Sequence, residues 1–88
     1  MLRITQTPTV QITTIHLEGK LLSAWLDEVR SVVATARAQG AVRLNLSGLS
    51  YVDPPGAVLL RDMRHDGIEL TGVSGFIEGL LAHAGQRA

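Results

Sequence analysis

Residues 42–46 alternate without a fault: Val42, Leu44 and Leu46 are apolar, Arg43 and Asn45 polar. A period of two is that of a β-strand with one buried face. The residues that follow organise the chain. Ser47 and Gly48 read as a turn, Tyr51 and Val52 close the apolar run, and Asp53 precedes Pro54, Pro55 and Gly56. Asp is a favoured N-cap, and Pro is tolerated in the first helical turn, where its missing N–H would have no partner. The stretch therefore predicts a strand, a loop and a capped helix. In an α/β sheet such a junction is where ligands and partners usually dock.

Upstream, Leu2 and Ile4 alternate with Arg3 and Thr5, which predicts an edge strand over residues 1–7, broken by Pro8. Val10, Ile12 and Thr14, then Ile15 and Leu17, predict a second strand, antiparallel to the first. The phase slip between Thr13 and Ile15 suggests a bulge, and Gly19 ends the strand. Leu22, Trp25, Leu26, Val29, Val32, Val33 and Ala36 recur at three- and four-residue spacing, predicting an amphipathic helix over 21–38. Trp25 falls in its apolar stripe and reads as core. Lys20, Asp27, Glu28, Arg30, Arg37 and Gln39 take the solvent side, and Gly40 stands where a left-handed cap belongs. The strand at 42–46 then completes a β-α-β crossover.

After the Asp53 cap, Ala57, Val58, Leu59, Leu60 and Met63 carry the second helix, whose polar exit ends at Gly67. Residues 68–71 predict a short strand, and Gly72, Ser74 and Gly75 a loop. Phe76, Ile77, Leu80, Leu81 and Ala84 predict a terminal helix capped by Ser74, with fraying over 85–88. The order β-β-α-β-α-β-α describes an α/β fold. It is one domain over residues 1–88, with a four-stranded mixed sheet and helices packed mainly on one face.

Composition narrows the function. With one Trp, one Tyr and one Phe, the core of this 88-residue chain must be aliphatic. The absence of cysteine excludes a disulfide framework and a thiolate zinc site, and fits a reducing cytoplasm. A formal net charge of zero gives no basic field for nucleic acid. No apolar run approaches the roughly 18 residues of a membrane span, and Arg3 and Gln6 interrupt any leader. The expectation is a cytoplasmic domain without direct membrane insertion.

Catalytic chemistry has little to stand on. His16, His65 and His83 fall in a strand, at a helix end and in the terminal helix, with no pair at i,i+4 and no Cys to join them. Asp53 has an ordinary task as a cap. Gly72-x-x-Gly75 lacks the spacing of a nucleotide-binding glycine motif. No catalytic residue, cofactor or metal ligand is predicted.

The stretch Leu44-Asn45-Leu46-Ser47-Gly48-Leu49-Ser50-Tyr51-Val52-Asp53-Pro54-Pro55-Gly56-Ala57-Val58-Leu59-Leu60 resembles the signature of the STAS domain, named after sulfate transporters and anti-sigma-factor antagonists. Leu17-Glu18-Gly19-Lys20-Leu21 looks like the family's Leu-x-Gly-x-Leu, and Val73-Ser74-Gly75-Phe76 fits its later strand and helix. In antagonists switched by phosphorylation, a partner serine kinase modifies the first Ser after the aspartate. Here Pro54 holds that position and Pro55 the next, so a phosphoester cannot form there. Two missing N–H groups also disfavour phosphate or nucleotide at the helix N-terminus. Asn45 replaces the family's strand aspartate. The chain looks like a minimal STAS domain with the switch removed.

The resemblance implies a non-catalytic protein-interaction module of transcription regulation, of the bacterial signalling type. Its partner would be an anti-sigma factor with a kinase-like ATPase domain. The binding surface would comprise Ser50, Tyr51, Asp53, Pro54, Pro55, Gly56, Arg61 and Arg64. Ser47 and Ser50 read as turn serines or as a displaced phosphosite. The alternative function is a cytoplasmic structural subunit of a lipid-transport ATPase complex, with a transporter ATPase as partner. A homodimer through an exposed sheet edge is compatible with either.

Overall fold

A computed structural model describes residues 2–83. Four strands form one sheet in the order β1-β2-β3-β4. They are β1 (Leu2–Pro8), β2 (Ile12–Leu21), β3 (Ala41–Val52) and β4 (Glu69–Thr71). β1 is antiparallel to β2, whereas β2, β3 and β4 are mutually parallel. The helices are α1 (Leu26–Arg37), α2 (Pro54–His65) and α3 (Gly75–His83), with a 3-10 turn (Ser23–Trp25) leading into α1. This is the predicted mixed sheet and element order.

The core lies on one face of the sheet and is aliphatic throughout. Ile15, Leu17 and Leu21 of β2 and Val42, Leu44 and Leu46 of β3 are buried, while the alternate residues His16, Glu18, Arg43 and Asn45 are not. Against that face stand Leu26, Val29, Val33 and Ala36 of α1, Ala57, Leu60 and Met63 of α2, and Ile77 and Leu81 of α3. Each set recurs at helical spacing, which is why these segments coil when packed on a pleated apolar surface. Burying each such Leu or Ile contributes roughly 1.5–3 kcal/mol. Trp25 is half-buried at the rim of this core.

Several boundaries differ from expectation, most of them because of long-range pairing. The second strand begins at Ile12 rather than Val10, because residues 9–12 form a turn closed by Thr9: its N–H and its Oγ1 both reach the Ile12 carbonyl, at 2.8 and 2.7 Å. Val10 is left fully exposed. No bulge separates Thr13 from Ile15; the register against β3 slips between His16 and Glu18 and between Gly19 and Lys20. Gly19 therefore bends the strand, at φ +98°, instead of ending it.

The helix predicted over 21–38 begins later. Leu21 pairs with Val52 in the parallel ladder and Lys20 with Tyr51, so both belong to the sheet. Gly40 has φ +156°, outside the left-handed cap geometry. Ser47 and Gly48 are not a turn either, since β3 runs on and Gly48 pairs with Glu18. Gly67, at φ +94°, does follow the end of α2, and Ser74 does cap α3, its Oγ accepting from Ile77 N at 3.1 Å. The predicted contributions of Met1 and Ala84 and the fraying over 85–88 lie outside the described residues.

Candidate functional site

β2 and β3 end side by side, at Leu21 and Val52, and the chain leaves both toward helices. Asp53 occupies the exit of β3 in extended conformation (φ −77°, ψ 169°) and uses every polar group it has. Its N–H donates to the Leu21 carbonyl at 3.0 Å, and its carbonyl accepts from Ala57 N at 2.9 Å. Oδ1 accepts from Gly56 N at 2.8 Å, and Oδ2 accepts from Ser23 N at 2.7 Å. One carboxylate thus caps α2 and the 3-10 turn leading into α1, where the partial positive charge of helix N-termini favours an anion.

Gly56 makes that geometry fit. A Cβ there would lie 3.0 Å from Asp53 Oδ1, 3.0 Å from Val52 Cγ1 and 3.1 Å from the Leu21 carbonyl. Pro54 and Pro55 fill the first two helical positions and contribute no N–H. The third N–H, from Gly56, belongs to Asp53. The helix N-terminus therefore offers no free donor to a phosphate.

The predicted surface residues fall into three groups. Ser50, Tyr51, Pro54 and Pro55 are exposed around the junction, with Asp53 half-buried among them. Gly56 is buried beneath. Arg61 and Arg64 lie further along α2, about 10 and 15 Å from Pro54 at the helical rise per residue. Arg61 is half-buried, and Arg64 bridges to α3, its Nη1 3.1 Å from Glu78 Oε1. Val58, a turn after Pro54, is also exposed and extends the apolar surface begun by the prolines and Tyr51.

Three details were not legible in sequence. Ser50 is a strand residue rather than a turn serine, and its hydroxyl donates across to the Gly19 carbonyl at 3.0 Å. Ser47 binds a neighbouring side chain: its N–H and hydroxyl both donate to Asn45 Oδ1, at 3.0 and 2.7 Å. Gly72, at φ +66°, packs against this pair, and a Cβ there would lie 2.8 Å from Ser47 Cβ. Ser23 was missed altogether, because nothing local in a Leu-Ser-Ala sequence marks a contact 30 residues away.

No family model matches the sequence, and no curated protein matches it. Among solved structures, the chain is similar to the anti-sigma factor antagonist SpoIIAA in its unphosphorylated form. The TM-score is 0.67 and the identity 23%, over 97% of this chain and 81% of that one. It is also similar to part of Mglu, with TM-score 0.60 and 21% identity, covering 76% of this chain and 18% of that one. At these identities the likeness is one of backbone architecture: the chain has the fold of SpoIIAA, the STAS fold.

Proposed function

We infer that this chain is a non-catalytic protein-interaction module, of the kind SpoIIAA represents, and that it binds its partner through the β3–α2 junction. The observation that carries this reading is the likeness to an anti-sigma factor antagonist over 97% of the chain. The junction supports it locally. Tyr51, Pro54, Pro55 and Val58 expose apolar surface on a loop that the Asp53 carboxylate and two prolines already hold in one conformation. A loop ordered before contact loses less entropy on binding.

Pro54 and Pro55 have no hydroxyl, so covalent phosphate at those positions does not regulate the module. Binding is then governed by the supply of partners and by competition between them. The partner this reading calls for is the kinase-like ATPase domain of an anti-sigma factor. Affinity capture from the source cell tests it, with the chain as bait and mass spectrometry as readout. Recovery of such a domain is the expected result. Recovery of a transporter ATPase instead would make the chain a structural subunit and overturn the signalling role.

A further inference from the structure

The sheet face turned away from the helices carries a groove of about 340 Å³ across β1, β2 and β3. Thr5, Thr7, His16, Glu18, Asn45 and Ser47 line it, with Leu17 and Gly48. Gly48 both opens the groove and places Glu18. A Cβ at Gly48 would stand 2.7 Å from Glu18 Cγ, so the Glu18 stem lies where that side chain would be. The stem leans from β2 toward β3, away from Arg3, which faces Glu18 in the β1–β2 register. Among the described residues no ion pair or hydrogen bond reaches the Glu18 carboxylate.

The polar groups around it are sorted by what they already hold. Asn45 Oδ1 accepts twice from Ser47, a role only the amide oxygen can fill, so the Asn45 NH₂ is the end left over. The Ser47 hydroxyl has given its proton to Asn45 and keeps its lone pairs. Thr7 Oγ1 and His16 Nε2 satisfy each other at 3.3 Å. Thr5 Oγ1 has no partner among the described residues. The groove thus combines one unpaired carboxylate with a donor and an acceptor on the neighbouring strand. Its volume lies within the roughly 300–1,000 Å³ of small-molecule sites.

We propose that this groove binds a small protonated amine bearing a hydroxyl group, with the ammonium on Glu18 and the hydroxyl between Asn45 Nδ2 and Ser47 Oγ. The site is separate from the β3–α2 junction and does not depend on the reading of that surface. Because Glu18 is exposed, solvent and salt screen the attraction, and binding is weak.

The test is a titration of the ¹⁵N-labelled chain with ethanolamine, read from backbone amide shifts. Ethylene glycol and glycolate serve as probes that lack the ammonium. Ethanolamine is expected to give saturable shifts centred on Thr5, His16, Glu18, Asn45, Ser47 and Gly48, and the other two none. Glu18→Gln keeps the side-chain shape and raises the dissociation constant up to about fivefold. Added salt weakens the wild-type response, a readout that needs no variant. Shifts that do not saturate, that centre elsewhere, that ethylene glycol or glycolate matches, or that survive Glu18→Gln or salt unchanged would each overturn the proposal.

Discussion

Asp53 Oδ2 accepts a hydrogen bond from the Ser23 amide at 2.7 Å, while Oδ1 of the same carboxylate accepts one from Gly56 at 2.8 Å. The start of the second helix and the entry to the first are thus tied to one side chain. Asp53→Ala removes both acceptors at once, and a cap plus a charged hydrogen bond together contribute about 2–3 kcal/mol. Urea unfolding should show that loss as a lower midpoint with an unchanged slope. Asp53→Asn keeps one acceptor and turns an NH₂ toward the other amide, so it should lose about half as much. Equal losses for the two variants would contradict the double role.

Two glycine-to-alanine changes should move stability in opposite directions. At Gly56 the new methyl meets the Leu21 carbonyl, Val52 and Asp53 within 3.1 Å, and crowding of this kind costs about 1–3 kcal/mol. At Gly79, inside α3, nothing lies within 4 Å, and Ala is the better helix former by about 1 kcal/mol. Thermal unfolding of both variants against wild type is the measurement. A stabilised Gly56→Ala would mean that the junction is looser than described.

The contrast between these two glycines shows what could be read without a structure. Asp53-Pro54-Pro55 announces a capped helix because cap chemistry is local, and α2 starts where those residues place it. The alternation at residues 42–46, the short fourth strand and the amphipathic spacing of α1 were legible for the same reason. The errors cluster where a distant partner decides. Ser47-Gly48 looks like a turn until Glu18 and Gly19 are seen to pair with Gly48 and Leu49 and carry β3 on. Leu21 and Leu22 continue the helical spacing of α1, yet pairing with Val52 holds Leu21 in the sheet. The cap at Asp53 was legible, whereas the burial of Gly56 beneath it was not.

Replacing both prolines, Pro54→Ser with Pro55→Ser, should leave the fold intact. Freer residues in the unfolded chain would lower stability by about 1–2 kcal/mol for the two replacements together. The variant gains hydroxyls at the first two positions of α2. Incubated with a kinase-like anti-sigma partner and ATP, it should take up phosphate there, and the wild-type chain should not. Phosphate on wild-type Ser47 or Ser50 would show instead that the switch persists at another hydroxyl.

The bridge between Arg64 and Glu78 joins α2 to α3, with both side chains partly in solvent at 40% and 51% exposure. Arg64→Ala should therefore cost less than about 1 kcal/mol, and that loss should shrink further in high salt. Urea midpoints at low and high salt would check both statements. A larger, salt-independent loss would mean that Arg64 supports the fold by packing.

The central claim is that the β3–α2 junction is the face presented to a protein partner. Calorimetric titration against the captured partner tests it most directly, using Tyr51→Ala, Arg61→Glu and, from the other end of the β2–β3 ladder, Thr14→Ala. The first two should weaken the complex at least tenfold, about 1.4 kcal/mol, with the domain still folded. Thr14→Ala should leave the affinity unchanged. Wild-type affinity in both junction variants, or a loss confined to Thr14→Ala, would place the partner elsewhere and contradict the account.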